Sequence, residues 1–371
     1  MNILVSAAAL RTSGARTIYQ QFINHLRTRV DGNHYYVIVD KDMERPEMAD
    51  VEYWVVDISN KLKRCGFELW GFKRLLDAKN IKFDIVVSLQ NLGVKQLKVL
   101  PQIIYYHQPL PFFNYKWHIY KRKELVMWLY KRLYPSLVRR SIGKNVEFVA
   151  QLPSIKQGIV VKYGIEASHV HVLFPDLESL NAEEIRPYPF DNTHTHFVFP
   201  ATSAPYKGHA FLLKVMAWIK MHDAEAAKKI RLHFTLKYTD EKQLLTLIQA
   251  YGIEKNIVWH GVIPHAKLLS MYASSKGLLF PSVIETLGLP LIECARFGCP
   301  IFACDLQYAH EVLAQYQGVH FLPSRSIAHW GKALIAAVND KSQNHFTPLQ
   351  PQAHSSWEDF FDIITQKAAA K

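Results

Sequence analysis

The feature that most constrains the fold is an alternation of short apolar runs with amphipathic runs, which occurs in two series along 371 residues. Short apolar runs predict buried strands, and runs with one apolar face predict helices. A chain that alternates the two forms a mostly parallel sheet covered by helices on both sides. The first series predicts a helix at 17–28 and strands at 35–39, 51–56, 83–88 and 102–106.

The second series begins after Pro187-Tyr188-Pro189. It predicts strands at 196–199, 231–236, 257–259, 278–280 and 300–304, and helices at 210–221, 241–251 and 266–274. The polar segment 178–195 is the predicted linker, since prolines interrupt regular structure. The sequence therefore predicts an α/β protein with two Rossmann-like domains, at 1–180 and 190–350, that face a central cleft.

Positive charge is concentrated in the first part of the chain. Residues 1–150 hold 24 Lys and Arg against 13 Asp and Glu, whereas the remaining residues hold 20 against 19. Such asymmetry points to an anionic partner, which can be nucleic acid, an acidic membrane surface or a phosphorylated substrate. We expect no membrane-spanning helix, because no apolar run is long enough, and the segment Met1–Ser6 resembles a buried strand rather than a secretion signal.

The cysteines and histidines do not predict a metal site. Cys65, Cys294, Cys299 and Cys304 have neither C-x-x-C nor zinc-ligand spacing, and no H-E-x-x-H pair occurs. We expect the cysteines to be small buried hydrophobic residues.

The segment Glu285–Pro300 is the richest in chemistry. Gly288 precedes a predicted helix with Pro290 in its first turn, and Gly298 with Pro300 closes that helix. Free amides at a helix start can hold a phosphate. Glu285 and Glu293 would repel a phosphate, so we expect each to bind sugar or ribose hydroxyls. By pattern alone, a helix start with a favourably placed acidic residue is an equal alternative.

Three loops that follow predicted strands carry further candidates. Lys207 lies in a turn before a helix and can reach a phosphate, although it can equally be a solvated surface lysine. His107 ends an apolar strand, where a neutral imidazole can accept a hydrogen bond from a hydroxyl or serve a structural role. Gly14 lies in the loop after the first strand, which lacks G-x-G-x-x-G and so disfavours a nicotinamide dehydrogenase.

Together these motifs resemble the E-x7-E signature and flanking glycines and prolines of the family 4 (group 1) retaining glycosyltransferases with the GT-B fold. The resemblance implies that His107, Lys207 and Glu285 are catalytic. It also implies a donor-binding set of Gly14, Thr202, Lys207, Glu285, Thr286, Gly288, Leu289 and Glu293. Thr202 departs from the pattern, since the family has an arginine there and threonine cannot neutralise phosphate charge. The family also implies that 354–371 forms a helix crossing back to the first domain.

The segment 114–144 mixes nine basic residues and one acid with aromatic and aliphatic residues at near-helical spacing. This mixture is typical of a helix at an anionic membrane interface, and equally of a packed helix with a solvated basic face. Nucleic-acid binding is disfavoured, because no recognised binding fold accompanies the stretch. The predicted membrane or acceptor face comprises Lys121, Arg122, Lys123, Lys131 and Arg132.

The resulting hypothesis is a retaining, metal-independent hexosyltransferase with no cofactor, using a UDP- or GDP-linked donor. Its acceptor would be a glycan or lipid-linked intermediate of bacterial surface polysaccharide. We expect it in the cytoplasm, peripheral on the inner face of the cell membrane. The alternatives are a GT-B nucleotide-sugar-binding protein with little activity, an epimerase or phosphorylase on the same fold, and a non-enzymatic basic scaffold.

Overall fold

The computed structural model of the chain describes residues 1–11, 13–176, 185–340, 346–350 and 354–369. For seven of these residues it describes the backbone alone, namely Ser13, Lys61, Cys65, Leu69, Arg122, Lys123 and Ala369. The chain separates into two compact units, Met1–Leu177 with Gln352–Lys371, and Glu178–Pro351. The predicted linker 178–195 lies in part outside the described residues, which resume at 185.

The first unit is built on parallel strands separated by helices. Its strands are β1 (Asn2–Ser6), β2 (His34–Asp40), β3 (Val51–Val56), β4 (Ile85–Ser88), β5 (Gln102–Tyr106), β6 (Val146–Ala150) and β7 (Val170–Val172). They form one sheet in the order β3-β2-β1-β4-β5-β6-β7, and every pairing is parallel. The helices of this part of the chain are α1 (Ser13–Thr28), α2 (Lys61–Gly66), α3 (Phe72–Lys79), α4 (Arg122–Ser141) and α5 (Pro153–Tyr163). A π-helical turn, Phe67–Gly71, joins α2 to α3.

The second unit repeats this plan. Its strands are β8 (Thr195–Phe199), β9 (Ile230–Phe234), β10 (Ile257–Trp259), β11 (Gly277–Phe280), β12 (Ile301–Cys304) and β13 (Val319–Leu322), in the sheet order β10-β9-β8-β11-β12-β13. Its helices are α6 (His209–His222), α7 (Ala224–Lys229), α8 (Lys242–Tyr251), α9 (His265–Ser274), α10 (Leu289–Ala295), α11 (Gln307–Val312) and α12 (Ile327–Asn339). Every strand pairing is parallel, so all strands end at one edge of the sheet.

The last helix, α13 (Ser356–Ala369), belongs to the first unit. Its Trp357 is 1% exposed and stacks on Tyr105 of β5, with ring centroids 5.5 Å apart. The indole N–H donates to Gln21 Oε1 at 3.0 Å, so α1 also holds this helix. Aromatic contacts of this kind add to the burial of apolar area. The helix therefore completes the core on one side of the first sheet.

The predicted strands and helices are confirmed with small differences in their bounds. The helix predicted at 17–28 begins four residues earlier, at Ser13, and the strand predicted at 231–236 ends at Phe234. Cys294, Cys299 and Cys304 are buried free thiols, as expected, whereas the side chain of Cys65 lies outside the described residues. None of the helices in the described residues is long and apolar enough to cross a membrane.

Candidate functional site

Lys207 and Glu285 lie at the topological switch point of the second sheet. Lys207 follows β8, and Glu285 follows β11. These strands are neighbours at the centre of the sheet, and the chain continues from β8 towards β9 and β10 on one side and from β11 towards β12 and β13 on the other. In open α/β sheets, ligands bind beyond the carboxyl ends of the strands at such a point. The topology therefore marks these two loops as the candidate site of this unit.

The two side chains form an ion pair. Lys207 Nζ lies 2.5 Å from Glu285 Oε1, and the side chains are 19% and 11% exposed. The backbone joins the loops as well, since the N–H of Val283 donates to the carbonyl of Tyr206 at 3.0 Å. Gly208 has φ +100°, and a Cβ there would lie 3.0 Å from Pro281. A side chain at position 208 would therefore disturb the loop that presents Lys207.

Glu293 is the second carboxylate of the motif, and it lies on α10. His265 Nε2 lies 3.0 Å from Glu293 Oε1, and Tyr272 donates its hydroxyl to Oε2 at 3.4 Å. Both partners come from α9. Their hydrogen bonds set the direction of the carboxylate relative to the start of α10. The Glu293 side chain is 19% exposed, which leaves part of the carboxylate accessible to a ligand hydroxyl.

The start of α10 has the predicted form. Gly288 precedes the helix with φ +76°, a left-handed conformation that favours glycine, and Leu289 is the first helical residue. Thr286 is partly exposed in the loop before it. Thr202 is exposed in the loop after β8. Threonine supplies no charge there, so Lys207 is the cation that this loop offers to an anionic ligand.

His209 is a buried residue of this site that the sequence did not single out. It is the first residue of α6, and its ring lies between Phe199 and Phe234 at centroid distances of 4.4 and 5.0 Å. Burial, with a smaller contribution from Lys207, lowers its pKa to about 3. The imidazole is therefore neutral at physiological pH and adds no positive charge beside Lys207.

In the first unit, His107 directly follows β5. Its backbone N–H donates to Asn91 Oδ1 at 2.5 Å, and burial lowers the pKa of its imidazole to about 4. The ring is therefore neutral at pH 7. Gly14 lies in the first turn of α1, which follows β1. Gly14 and His107 belong to the first unit, and the remaining predicted catalytic and donor-binding residues belong to the second.

Several residues of the predicted basic face make contacts within the chain. Lys131 donates to the carbonyl of Phe113 at 2.6 Å, and desolvation lowers its pKa. Lys121 lies 3.6 Å from Glu124, and Arg132 lies over the ring of Trp128. The side chains of Arg122 and Lys123 lie outside the described residues.

Apolar residues of α4 are exposed instead of packed. Leu125, Leu129, Leu133 and Leu137 are 36%, 41%, 60% and 49% exposed. Their spacing of four residues places them along one stripe of the helix. The buried side of α4 consists of other residues, which include Glu124, Tyr134 and Val138. Helix α4 therefore exposes an apolar stripe together with basic residues.

Several supporting residues were missed because they are distant in sequence from the motifs. Tyr308 donates its hydroxyl to the carbonyl of Ser282 at 2.7 Å and so supports the loop of Glu285. Asn91 and His265 hold His107 and Glu293 as described above. No pattern near the motifs indicates these contacts, although Asn91 belongs to a polar pair, Gln90-Asn91, that follows an apolar strand, which is a recognisable signal.

No group of three or more His, Cys, Asp or Glu side chains in the described ranges is placed to hold a metal ion.

Comparison with known proteins finds similarity to glycosyltransferases. Residues 181–348 match the family model described as glycosyl transferases group 1. The chain is similar to WaaG, a glycosyltransferase involved in lipopolysaccharide biosynthesis, with a TM-score of 0.68 at 14% identity over 92% of this chain and 91% of that one. It is also similar to Anabaena HepE in complex with UDP and glucose, with a TM-score of 0.61 at 13% identity over 93% and 92% of the two chains.

Curated relatives agree with this class. O-antigen chain mannosyltransferase C of Escherichia coli is 25% identical over 68% of this chain and 69% of its own. D-inositol 3-phosphate glycosyltransferase 1 of Catenulispora acidiphila is 24% identical over 56% of this chain, and this chain spans about half of that relative, 53%. The family match covers less than half of the chain and lies within the second unit, and the similarity to the solved structures shows the GT-B fold for the chain.

Proposed function

We propose that the chain is a retaining hexosyltransferase that uses a UDP- or GDP-linked donor without a metal. The observation that carries the proposal is the Lys207–Glu285 pair at the switch point between β8 and β11, with Glu293 close in sequence on α10. The cation suits a diphosphate, and the two carboxylates suit hydroxyls on either side of it. In this assignment Glu285 binds the hexose, and Glu293 binds the ribose.

Donor binding changes the ion-pair partner of Lys207. The ammonium is paired with Glu285, so a diphosphate must share or replace that partner. Lys207 then stabilises the negative charge that develops on the leaving phosphate. The backbone amides at Gly288 and Leu289 are the proposed second contact to the diphosphate. Thr202 binds the diphosphate more weakly than an arginine would, because it donates one neutral hydrogen bond.

The proposed reaction is a front-face substitution. The bond between the anomeric carbon and the phosphate oxygen breaks, and a bond to the acceptor oxygen forms on the same face. Attack on the face from which the phosphate departs retains the anomeric configuration, and the leaving phosphate takes the proton of the acceptor hydroxyl. His107, neutral beside the end of β5, is proposed to bind a hydroxyl of the transferred sugar.

The proposed acceptor is a glycan or lipid-linked intermediate of bacterial surface polysaccharide. Two of the relatives above are named for O-antigen chain and lipopolysaccharide synthesis. The exposed leucine stripe and basic residues of α4 support attachment to an anionic membrane, which would place the enzyme at the inner face of the cell membrane. The basic residues of the first unit, in this proposal, serve a membrane or phosphorylated acceptor and not nucleic acid.

The test measures the turnover of a panel of UDP- and GDP-hexoses. The quantity measured is the release of nucleoside diphosphate, with and without EDTA. We expect one donor to be hydrolysed slowly in the absence of acceptor, and Lys207→Ala and Glu285→Ala to abolish the release. The matched control is Lys228→Ala, which removes an exposed lysine paired with Glu225 at 2.6 Å in the same unit.

Three outcomes would contradict the assignment. If neither site variant affects the release of nucleoside diphosphate, the reaction takes place elsewhere. If the protein binds a nucleotide sugar but releases no nucleoside diphosphate under any condition, it is a nucleotide-sugar-binding protein. Formation of a β-linked product from an α-linked donor would show inversion in place of retention.

A further inference from the structure

Four polar side chains are buried where β1 and β4 end, at the centre of the first sheet. Ser6 and Ser88 are the last residues of these strands, and Gln90 and Asn91 follow β4. Their exposed fractions are 1%, 0%, 8% and 7%. Buried polar groups are retained where their hydrogen bonds are made, so the partners of these side chains indicate their role.

Gln90 holds the loop that follows β1. Its amide nitrogen donates to Ser6 Oγ at 2.9 Å, and its Oε1 accepts the backbone N–H of Ala9 at 3.1 Å. Ala9 lies in the loop that leads into α1, the helix that carries Gly14. The position of this loop relative to the sheet therefore depends on Gln90.

Asn91 holds the loop that follows β5. Its Oδ1 accepts the backbone N–H of His107 at 2.5 Å. Asn91 itself has φ +69°, a left-handed conformation that asparagine tolerates better than most residues. This conformation turns the side chain of a residue after β4 towards the neighbouring strand end at β5. Asparagine at this position therefore both tolerates the left-handed backbone of the turn and supplies the acceptor of the hydrogen bond.

We propose that Gln90 and Asn91 form a clamp that positions two loops, the one leading into α1, the helix that carries Gly14, and the one that carries His107, and that Asn91 is a positioning residue for His107. His107 Nδ1 is buried without a hydrogen-bond partner among the described residues. The ring is not held through that atom, so its direction depends on the backbone that Asn91 holds. The clamp spans β1, β4 and β5, where the switch point of the first sheet provides a crevice for a ligand.

The catalytic consequence rests on the proposed function. If His107 contacts the transferred sugar, a loosened His107 slows transfer while leaving the donor site of the second unit unchanged. Asn91→Gly keeps the left-handed backbone and removes the acceptor, whereas Asn91→Asp keeps both the backbone preference and an acceptor oxygen. Asn80→Gly is the matched control, because Asn80 is a left-handed residue in the same unit, exposed at the end of α3.

We expect Asn91→Gly to lower kcat roughly 10- to 100-fold with donor KM within about twofold, since the lost bond leaves a buried N–H unpaired. Asn91→Asp should restore kcat to within about threefold, and Asn80→Gly should match the parent within the same margin. A second measurement needs no turnover. Exchange of the His107 amide hydrogen should become roughly tenfold or more faster in Asn91→Gly and stay unchanged in Asn80→Gly.

The two proposals fail separately. If the parent protein releases no nucleoside diphosphate, the proposed function fails, and amide exchange still decides whether Asn91 holds His107. Unchanged exchange at His107 in Asn91→Gly overturns the clamp. Faster exchange with unchanged kcat overturns the positioning role. A fall in kcat that Asn91→Asp does not restore, or one that raises donor KM in parallel, overturns it as well.

Discussion

Lys207 and Glu285 form an ion pair that is largely removed from water, with Nζ 2.5 Å from Oε1 and side chains 19% and 11% exposed. In the same unit, Lys228 and Glu225 form a pair of similar length, 2.6 Å, with side chains 71% and 77% exposed. The two pairs share their chemistry and differ in burial. Since desolvation decides the effect of losing one partner, only the buried pair should be sensitive to single substitutions.

Lys207→Met should therefore lower the free energy of unfolding of the second unit by about 2–4 kcal/mol, because it leaves Glu285 buried without its cation. Adding Glu285→Gln should recover part of this loss. Lys228→Met should change the stability by no more than about 0.5 kcal/mol. Urea unfolding of the parent, Lys207→Met, Glu285→Gln and the double variant gives the coupling energy directly. A coupling energy near zero for Lys207 and Glu285 would show that the ion pair has no structural role in the ligand-free protein.

The sequence predicts the elements and the carboxylates of the site better than it predicts their partners. Glu285 and Glu293 are recognisable because the glycines and prolines around them fix a strand, a loop and a helix within one short segment. Lys207 precedes Glu285 by 78 residues, and the two meet because β8 and β11 are neighbours. That neighbourhood depends on strand order, which no local pattern contains.

Strand β6 shows why some elements were missed. Its sequence, Val146–Ala150, has Glu147 at its second position, which interrupts the apolar run that predicts a buried strand. The carboxylate is nevertheless buried, because Lys367 of α13 donates to it at 2.6 Å and His169 and His171 lie within 3.1 Å. These partners come from distant parts of the chain, so burial of Glu147 could not be predicted locally.

The exposed stripe of α4 is a comparable case. Spacing predicted a helix and left open whether its apolar residues pack or face outward. The answer depends on which residues of α4 meet the rest of the unit, and these include Glu124 and Val138 and exclude Leu129 and Leu133.

A chain of three hydrogen-bonded histidines crosses the second sheet. His196 Nδ1 lies 2.8 Å from His233 Nε2, and His233 Nδ1 lies 2.8 Å from His260 Nε2. His196 Nε2 lies 2.9 Å from the carbonyl of Asp191, which can only accept, so one set of neutral tautomers satisfies every link. An added proton on His196 or His233 places two N–H groups against each other.

The pH dependence of stability should reveal this chain. Burial, reinforced by the neighbouring His196 and His260, lowers the pKa of His233 to about 3, and burial also lowers the pKa of those two neighbours. Arg231 and Lys267 further disfavour added positive charge, and Asp191 favours it. The unfolded chain gains protons near pH 6.5 and the folded chain does not. The stability present above about pH 6.5 should therefore fall as the pH decreases towards about 3.

His233→Phe should reduce the slope of unfolding free energy against pH between 7 and 4.5 by up to about 1.4 kcal/mol per pH unit. Its absolute stability will also be lower, since two hydrogen bonds are lost, so the slope is the quantity to compare. His329→Gln, at an exposed position of α12, should keep the parent slope. Equal slopes in His233→Phe and the parent would mean that His233 does not stay neutral on acidification.

The last helix should contribute strongly to the stability of the first unit. Trp357 is 1% exposed and contacts Tyr105, Phe22 and Gln21. Trp357→Ala should therefore lower the free energy of unfolding by about 3–5 kcal/mol. Trp70→Ala is the control, because Trp70 belongs to the same unit and is 63% exposed, and it should change stability by no more than about 0.5 kcal/mol. Similar losses in both variants would contradict a core role for α13.

The leucine stripe of α4 provides the test of membrane attachment. Leu129 and Leu133 are 41% and 60% exposed, and Arg132 lies beside them in sequence. Each leucine that enters the interface contributes up to about 1.5–3 kcal/mol, and each cation at an anionic surface about 1 kcal/mol. Leu129→Ser combined with Leu133→Ser should lower partitioning onto phosphatidylglycerol-containing vesicles roughly tenfold or more, and Arg132→Glu should weaken it in a salt-dependent manner.

Co-sedimentation with anionic and with purely zwitterionic vesicles measures both contributions. Val161→Ser is the matched control, because Val161 is 77% exposed on α5 of the same unit and lies outside the stripe. It should partition like the parent protein. If the double leucine variant also partitions like the parent, or if the parent does not distinguish anionic from zwitterionic vesicles, α4 is not a membrane-binding helix. The stripe would then point to a protein partner. Burial of its apolar surface favours binding to a protein as it does binding to a membrane.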